Sequence, residues 1–274
     1  MNTVRNRTTH AGTDATTILL LGNPNSGKTS LFNALTGARQ RVGNYPGITV
    51  EKREGDWDLD GHSITVRDLP GTYSLTSFSP EEAVARDELL AGEHDAVVVV
   101  VDSTILKRSL SFLMQIMQLE ANVVLCLNMA DEARNAGQRL DRQKLSDLLG
   151  IPVVETSANK GEGIRGLKDA VAAVIADSPR GLAEEIAVEL GQLTDAGNDE
   201  EAGTRRMQTY AAAADQLIER SLISQARSDH RRLSNRIDSV VAHRIWGMPI
   251  FLGVMYLLFW LTFTLGEAPM GWIE

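Results

Sequence analysis

Short apolar or alternating runs fall near residues 17–21, 50–58, 62–68, 95–101, 122–127 and 152–156. Segments with helical spacing lie between and after them, near 28–36, 80–91, 106–119, 141–149 and 163–176. Strands that take turns with helices predict an α/β domain whose sheet is covered on both faces. Ala96 to Val101 is unbroken and apolar, as a central strand buried on both sides requires. Asp60-Gly61 between the second and third runs is a hairpin signal. One strand then runs antiparallel, and the six-stranded sheet is mixed but mostly parallel. Ser79-Pro80-Glu81-Glu82 reads as an N-cap, a proline at the first helical position and a capping-box glutamate. Arg41 to Thr49 is broken by glycine and proline, so a mobile loop is expected there, and a second one from Thr72 to Phe78.

The pattern changes after residue 176. Residues 177–204 hold eight acids and one basic residue, with helix periodicity only from Leu182 to Leu193 and a flexible loop expected around Asp195–Gly203. Residues 205–244 are helical in pattern and carry eight arginines. From Ile245 to Gly266, 22 residues pass without a charge. As a helix they span roughly 33 Å, close to a bilayer core. Arginines precede this stretch and only acids follow it, which puts the preceding domain on the cytoplasmic side. The expected organisation is a disordered lead at 1–16, without the apolar region of a signal peptide, and a nucleotide-binding domain at 17–176. A helical linker at 177–244, a transmembrane helix at 245–266 and its far end at 267–274 follow.

Charge and cysteine usage narrow the function classes. Net charge is −9, with 36 acidic and 27 basic residues, which argues against general nucleic-acid binding. The arginines near the membrane end can instead meet anionic lipid head groups or form a solvated helix face. The single cysteine, Cys126, lies in an apolar run and reads as a core residue; no disulfide within the chain is possible. The five histidines are scattered, without metal-ligand spacing.

The candidate chemistry sits at strand ends. Gly22-Asn23-Pro24-Asn25-Ser26-Gly27-Lys28-Thr29, followed by Ser30, joins the first strand to the first helix. Its glycines let backbone amides close on phosphate oxygens, and the helix N-terminus adds positive charge at the same point. Lys28 is placed to reach the β- and γ-phosphates and the Thr29 hydroxyl to bind Mg2+. Asp68-Leu69-Pro70-Gly71 ends the third strand: Asp68 holds Mg2+ through water, and the Gly71 amide meets the γ-phosphate. Asn128-Met129-Ala130-Asp131 follows a buried strand. A carboxylate at Asp131 accepts from both N1–H and the exocyclic amine of guanine, a donor pair that adenine lacks. The backbone of Ser157-Ala158-Asn159 is placed for the guanine O6. In the first mobile loop Gly47, Ile48 and Thr49 close on the nucleotide, and the Thr49 hydroxyl adds to Mg2+; Thr36 is the weaker candidate because it ends a helix. Motifs at the carboxyl ends of parallel strands stand where such sheets bind ligands.

Together these residues resemble a Ras-like P-loop GTPase domain. The wording Asn44-Tyr45-Pro46-Gly47-Ile48-Thr49-Val50-Glu51 and Asp68-Leu69-Pro70-Gly71-Thr72-Tyr73-Ser74-Leu75 is closer still to the amino-terminal part of the ferrous iron transport protein B family, bacterial Fe2+ uptake proteins. The tail, Pro249 to Leu252 and Leu261 to Gly266, resembles that family's first membrane helix. The resemblance implies GTP and GDP as ligands and a cell inner membrane location with the GTPase domain in the cytoplasm. As partners it implies the lipid bilayer, the many further membrane helices of the family and small accessory Feo proteins, with an oligomer left open.

Hydrolysis would then rest on Asn25, Lys28, Thr49 and Gly71. Ras-type enzymes orient the attacking water with a glutamine after the D-x-x-G, where this chain has Thr72. No switch arginine stands in the Gα position either: two residues before Thr49 is Gly47. The resemblance implies that Asn25 helps bind K+, whose charge takes the place of an arginine finger. Lysine, common at the positions of Met129 and Asn159, is missing, so modest nucleotide affinity and quick GDP release are expected. Three alternatives stay open: a GTPase of ribosome or tRNA maturation, a nucleotide sensor with negligible turnover, and an iron-binding domain.

Overall fold

The computed structural model describes residues 16–37, 40–45, 48–59, 62–75, 79–120, 122–177, 200–225 and 247–273. Elements run in the order β1 (Thr16–Gly22), α1 (Lys28–Thr36), β2 (Gln40–Asn44), β3 (Glu51–Leu59), β4 (His62–Asp68), α2 (Pro80–Ala91), β5 (Ala96–Asp102) and α3 (Leu106–Leu119). Then come β6 (Val123–Asn128), α4 (Ala130–Asn135), β7 (Gln138–Leu140), α5 (Arg142–Leu149), β8 (Val153–Glu155), a 3-10 turn (Ala158–Lys160) and α6 (Ile164–Ala176). The last are α7 (Glu200–Ser221), β9 (Leu222–Gln225) and α8 (Gly247–Ile273).

The main sheet has the order β2-β3-β4-β1-β5-β6-β8. β4, β1, β5, β6 and β8 are parallel, while β3 runs antiparallel to both its neighbours. The alternation of side chains along each strand divides the core in two. Ile18, Leu20, Val98, Val100 and Cys126 meet Leu31, Phe32 and Leu35 of α1 and Leu167 and Val171 of α6. Leu19, Leu21, Val97, Val99 and Val101 meet Leu89 of α2, Leu110 and Leu113 of α3, Leu145 of α5 and Tyr210, Ala214 and Leu217 of α7. The central strands must be apolar at every position because both faces are covered.

Three expectations change. The sheet has seven strands, not six: Gln40 to Asn44, of which Arg41 to Asn44 were expected within a mobile loop, pairs as β2 with β3. All five of its residues are exposed, so it carries no apolar signal; backbone hydrogen bonds hold it. Residues 200–203, expected in a flexible loop, open α7, whose Tyr210, Ala213, Ala214 and Leu217 are buried at helical spacing. Residues 222–225, expected to be helical, form β9 and pair antiparallel with β7.

The chain divides into two compact units, Met1–Gln225 and Ala226–Glu274. α7, which lies beyond residue 177, is packed into the first unit's core. In the second unit α8 runs past the expected end at Gly266 to Ile273, with Pro249 in its first turn, where a missing N–H costs nothing. Its apolar side chains from Phe251 to Leu261 are exposed wherever they are described. Among the described residues, no helix is long and apolar enough to cross a membrane. The lead at 1–15, the Asp60-Gly61 turn and the helical period at 182–193 lie outside the described residues.

Candidate active site

β1 delivers Gly22 beside β5, where a Cβ would come 2.5 Å from the Val100 carbonyl oxygen. Only glycine lets the strand run into the loop at that distance. Gly27 adopts φ 77°, and a Cβ there would strike the Asn128 carboxamide. Asn25 adopts φ 65°, a left-handed conformation that asparagine tolerates better than most residues. Asn23 is buried and donates to the Ser109 hydroxyl on α3 at 3.4 Å. Its Oδ1 and the Ser26 hydroxyl are buried without a hydrogen-bond partner among the described residues. Such orphaned atoms beside a glycine-lined cradle fit a loop built around a polar ligand. Pro24 and Thr29 face solvent, and Ser30 is half-buried at the start of α1.

Lys28 and Asp68 are brought together from the two ends of this edge. The Lys28 ammonium donates to Asp68 Oδ1 and to the Leu69 carbonyl. Asp68 is buried at the end of β4, which pushes its carboxyl pKa up, and the Lys28 charge opposes that shift. The Asp68–Gly71 segment is stitched to β1: the Leu69 amide donates to the Leu20 carbonyl at 3.1 Å and the Thr72 amide to the Gly22 carbonyl at 3.2 Å. Gly71 lies against Pro24, where a Cβ would come 3.2 Å from the proline Cα. Thr72 is turned inward; its hydroxyl donates to the Ser74 carbonyl at 2.7 Å. The same hydroxyl accepts from the Ser74 amide at 3.2 Å, so the side chain is engaged by its own loop.

The first switch loop hangs from Tyr45. This ring is buried in the core, and its amide and carbonyl pair with Val50 and Ile48 at 3.0 and 3.3 Å. Ile48 and Thr49 are exposed, and Thr49 makes no hydrogen bond with Thr29 or Asp68. Gly47 lies outside the described residues. Thr36 is removed as a Mg2+ candidate: it is buried and donates to the Phe32 carbonyl at 2.8 Å.

Asn128 organises the opposite corner. Its Oδ1 accepts from the Thr156 hydroxyl and the Ala158 amide, both at 3.1 Å, and its Nδ2 donates to the Ser26 carbonyl at 3.0 Å. One buried carboxamide thus fixes the phosphate loop against the loop after β8. The Ser157 amide donates to the Glu162 carbonyl at 3.1 Å. The Ser157 and Ala158 amides, expected for guanine O6, are thus already engaged in closing their loop. Met129 adopts φ 58° and sets its methyl over Gly27, which turns Asp131 back toward Ser157.

Asp131 accepts from Lys160 across 2.7 Å. Lys160, with Ser157, holds its carboxyl down at about 2, so it is ionised at neutral pH. Sequence reasoning missed Lys160, which supplies a cation beside the Asp131 carboxylate one residue past Asn159; its position directly after Ser-Ala-Asn was the available signal. Ser103, whose hydroxyl donates to the Asn128 carbonyl at 2.6 Å, left no signal at all. Cys126 is a core residue, its thiol pushed up to about 12 by burial.

Thr29, Thr49 and Asp68 are hard oxygen donors of the kind Mg2+ takes, and the Asn25 carboxamide oxygen suits a monovalent cation. Among the described residues, no group of three or more His, Cys, Asp and Glu is placed to hold a metal ion.

A family profile described as Ferrous iron transport protein B matches residues 16–171. A relative from Salmonella choleraesuis (strain SC-B67), named Fe(2+) transporter FeoB, is 36% identical over 301 residues; the match covers 92% of this chain and 39% of the relative. The chain thus spans 39% of the length of this relative. Among solved structures, the cytosolic domain of the T. maritima FeoB iron transporter in apo form superposes with a TM-score of 0.67 at 33% identity, covering 76% of this chain and 100% of that one. The same domain in its GMPPNP form gives 0.66 at 33% identity and the same coverage.

Proposed function

The chain belongs to the ferrous iron transport protein B family, and on that premise we propose that it binds GTP, hydrolyses it to GDP and phosphate, and so regulates Fe2+ uptake. The observation that carries this reading is the meeting of two half-sites through Asn128. That one side chain ties the phosphate loop, at Ser26, to the Ser157–Ala158 loop, onto whose Ser157 hydroxyl the Asp131 amide donates. Binding of a guanine nucleotide is supported by the GMPPNP form of the T. maritima domain, to which this fold is similar.

Asp131, ionised, accepts the paired donors of guanine and displaces Lys160. Lys28 leaves Asp68 and Leu69 to donate to the β- and γ-phosphates, which frees the Asp68 carboxylate. The Gly71 amide, already against the phosphate loop, donates to the γ-phosphate. Thr49 swings in from its exposed position as the loop between β2 and β3 closes. Mg2+ would be held by Thr29, Thr49 and Asp68 and K+ by Asn25; when bound, they supply positive charge that offsets the charge developing during phosphoryl transfer.

A second reading, a nucleotide sensor with negligible turnover, is favoured by one observation. Thr72 is closed on Ser74, so its side chain does not orient water. Single-turnover hydrolysis in K+ and in Na+ at equal ionic strength separates the two. A faster rate in K+, lost in Asn25→Gly, supports hydrolysis with K+ at Asn25. Glycine is the right replacement because it keeps the left-handed backbone that alanine would strain. Equal, negligible rates in both salts leave the sensor.

The stretch 245–266 serves in this reading as a tether in the cell inner membrane, with the first unit in the cytoplasm. It is supported by the uncharged run, part of which lies outside the described residues, and by the exposed apolar side chains of α8, which demand an apolar cover. The bilayer, further membrane helices of a longer protein and small accessory Feo proteins are the partners it implies. Ending the chain after Arg244 should give a soluble protein with unchanged hydrolysis, whereas the full chain should need detergent. A full chain that stays soluble without detergent contradicts the tether.

A further inference from the structure

One buried carboxamide on α3 faces both the nucleotide loop and α7. Gln115 is 8% exposed. Its Oε1 accepts from the Leu75 amide at 3.1 Å and from the Ser74 hydroxyl at 3.4 Å. Its Nε2 donates to Met207 Sδ on α7 at 3.5 Å. The Leu75 amide is a donor only, so it fixes which end of the carboxamide faces the loop. Ser74 and Leu75 follow Gly71 by three and four positions, and Tyr73 before them is covered by the Arg108 guanidinium, 3.7 Å from the ring centroid. Three consecutive residues of the second switch loop are thus held by α3.

The same helix carries α7. The Tyr210 hydroxyl donates to Gln118 at 2.6 Å, and Lys107 pairs with Asp215 at 2.6 Å. The Ser111 hydroxyl donates to the Tyr210 carbonyl at 3.4 Å. Between these contacts, the Gln115 side chain bonds to both neighbours. A carboxamide is planar, so its acceptor and donor turn together. A shift of the Ser74–Leu75 backbone that Oε1 follows carries Nε2 off the sulfur. A shift of Met207 acts in the reverse direction.

We propose that Gln115 is a positioning residue that couples the loop after Gly71 to α7, so that the seating of α7 sets the rate of GTP hydrolysis. The proposal rests on the hydrolysis reading above. Gln115 touches no substrate; it acts through the backbone that carries the Gly71 amide.

A double-mutant cycle on the full chain in detergent tests it, with kcat, KM for GTP and melting temperature as readouts. Gln115→Leu should lower kcat about fivefold, the worth of one net hydrogen bond, and leave KM within about twofold. Met207→Leu conserves volume on a partly exposed residue and should keep the fold. It should change kcat about twofold in the unmodified background, as a weak sulfur acceptor is lost. In the Gln115→Leu background it should change nothing. Gln115→Glu keeps the acceptor for Leu75 but has no N–H for the sulfur. It should restore kcat toward the unmodified value and be blind to Met207→Leu. A merely structural role for Gln115 would move the melting temperature while the two kcat effects multiply. Multiplying effects, or no effect of Met207→Leu in the unmodified background, overturn the coupling alone. A full chain without GTP turnover in K+ overturns the hydrolysis reading and the coupling with it.

Discussion

Asn128, at the base corner of the site, is 2% exposed and engages three partners with its side chain, whereas Thr49, at the phosphate corner, stands exposed after a strand that is exposed along its whole length. The base corner is assembled from the end of β6 inside the sheet, from the end of β8, a largely buried edge strand, and from the phosphate loop after β1. The switch loop hangs from β2, at the sheet edge, and from the buried Tyr45 ring. Each hydrogen bond around Asn128 is worth about 1 kcal/mol net, and losing its partner costs more because the groups are buried. An exposed edge segment has no such reserve and belongs to the low-stability end of a fold. The difference gives each corner its task. On the proposed function, the framework that carries the base-reading residues is built before the nucleotide arrives, and Thr49 reaches the γ-phosphate only by moving.

Breaking the base corner should have the largest effect. Asn128→Ala leaves the Ser26 carbonyl and the Ala158 amide without their buried partner. A denaturant titration should show a loss of about 2–4 kcal/mol, and GDP affinity should fall about a thousandfold, since both half-sites come loose. An Asn128→Ala chain with near-normal affinity would show that the two half-sites are held together by other contacts.

Asp131→Asn spares that framework and removes only the acceptor. GTP affinity should fall by a factor of about a hundred, the loss of paired, charge-assisted bonds. Xanthosine triphosphate, which offers a carbonyl where guanine has the amine, should bind better than to the unmodified chain. The carboxyl is held below its ordinary value of 3.8, at about 2, so its ionised form is complete above about pH 5 and is lost only as pH falls through 2. Guanine selectivity should therefore be flat between pH 5 and 8 in competition binding with ATP. A selectivity that titrates near pH 4 would mean that Lys160 does not hold Asp131 in solution.

Thr49→Ala tests the other corner and should have the smallest equilibrium effect. Melting temperature and GDP affinity should stay the same, because the hydroxyl is exposed and bonds neither Thr29 nor Asp68. Single-turnover GTP hydrolysis should fall roughly tenfold, as an interaction made only with the triphosphate is lost. A loss of GDP affinity as large as that of Asp131→Asn would place Thr49 in the preformed part of the site.

The two corners also differ in how far their residues could be read. The runs that become β1, β4, β6 and β8 carry the motifs on their ends, so burial and chemistry pointed to the same places. β2 escaped because its Gln-Arg-Val-Gly-Asn has no alternation and is held through the backbone. β7 and β9 escaped for another reason: Arg139 pairs with Ser224 across a separation that no local pattern encodes. Within the site, the residue types of the phosphate loop, D-x-x-G and N-x-x-D were legible because phosphate, Mg2+ and guanine each demand a particular donor or acceptor. Their supports were not. Gln115 reads as one more polar residue on a helix, and only the fold reveals that its two ends face two different segments.

Amide hydrogen exchange, followed by mass spectrometry with and without a non-hydrolysable GTP analogue and Mg2+, tests the contrast most directly. Residues 128–131 and 156–160 should be protected in both states. The loop at 45–50 should exchange quickly alone and slow by at least about tenfold with the triphosphate analogue, but not with GDP, whereas 72–75, bonded to β1 and to Gln115, should be protected in every state. A 45–50 loop equally protected in all states, or a base corner that becomes ordered only when nucleotide is added, would contradict a site with one corner built in advance and the other built by its ligand.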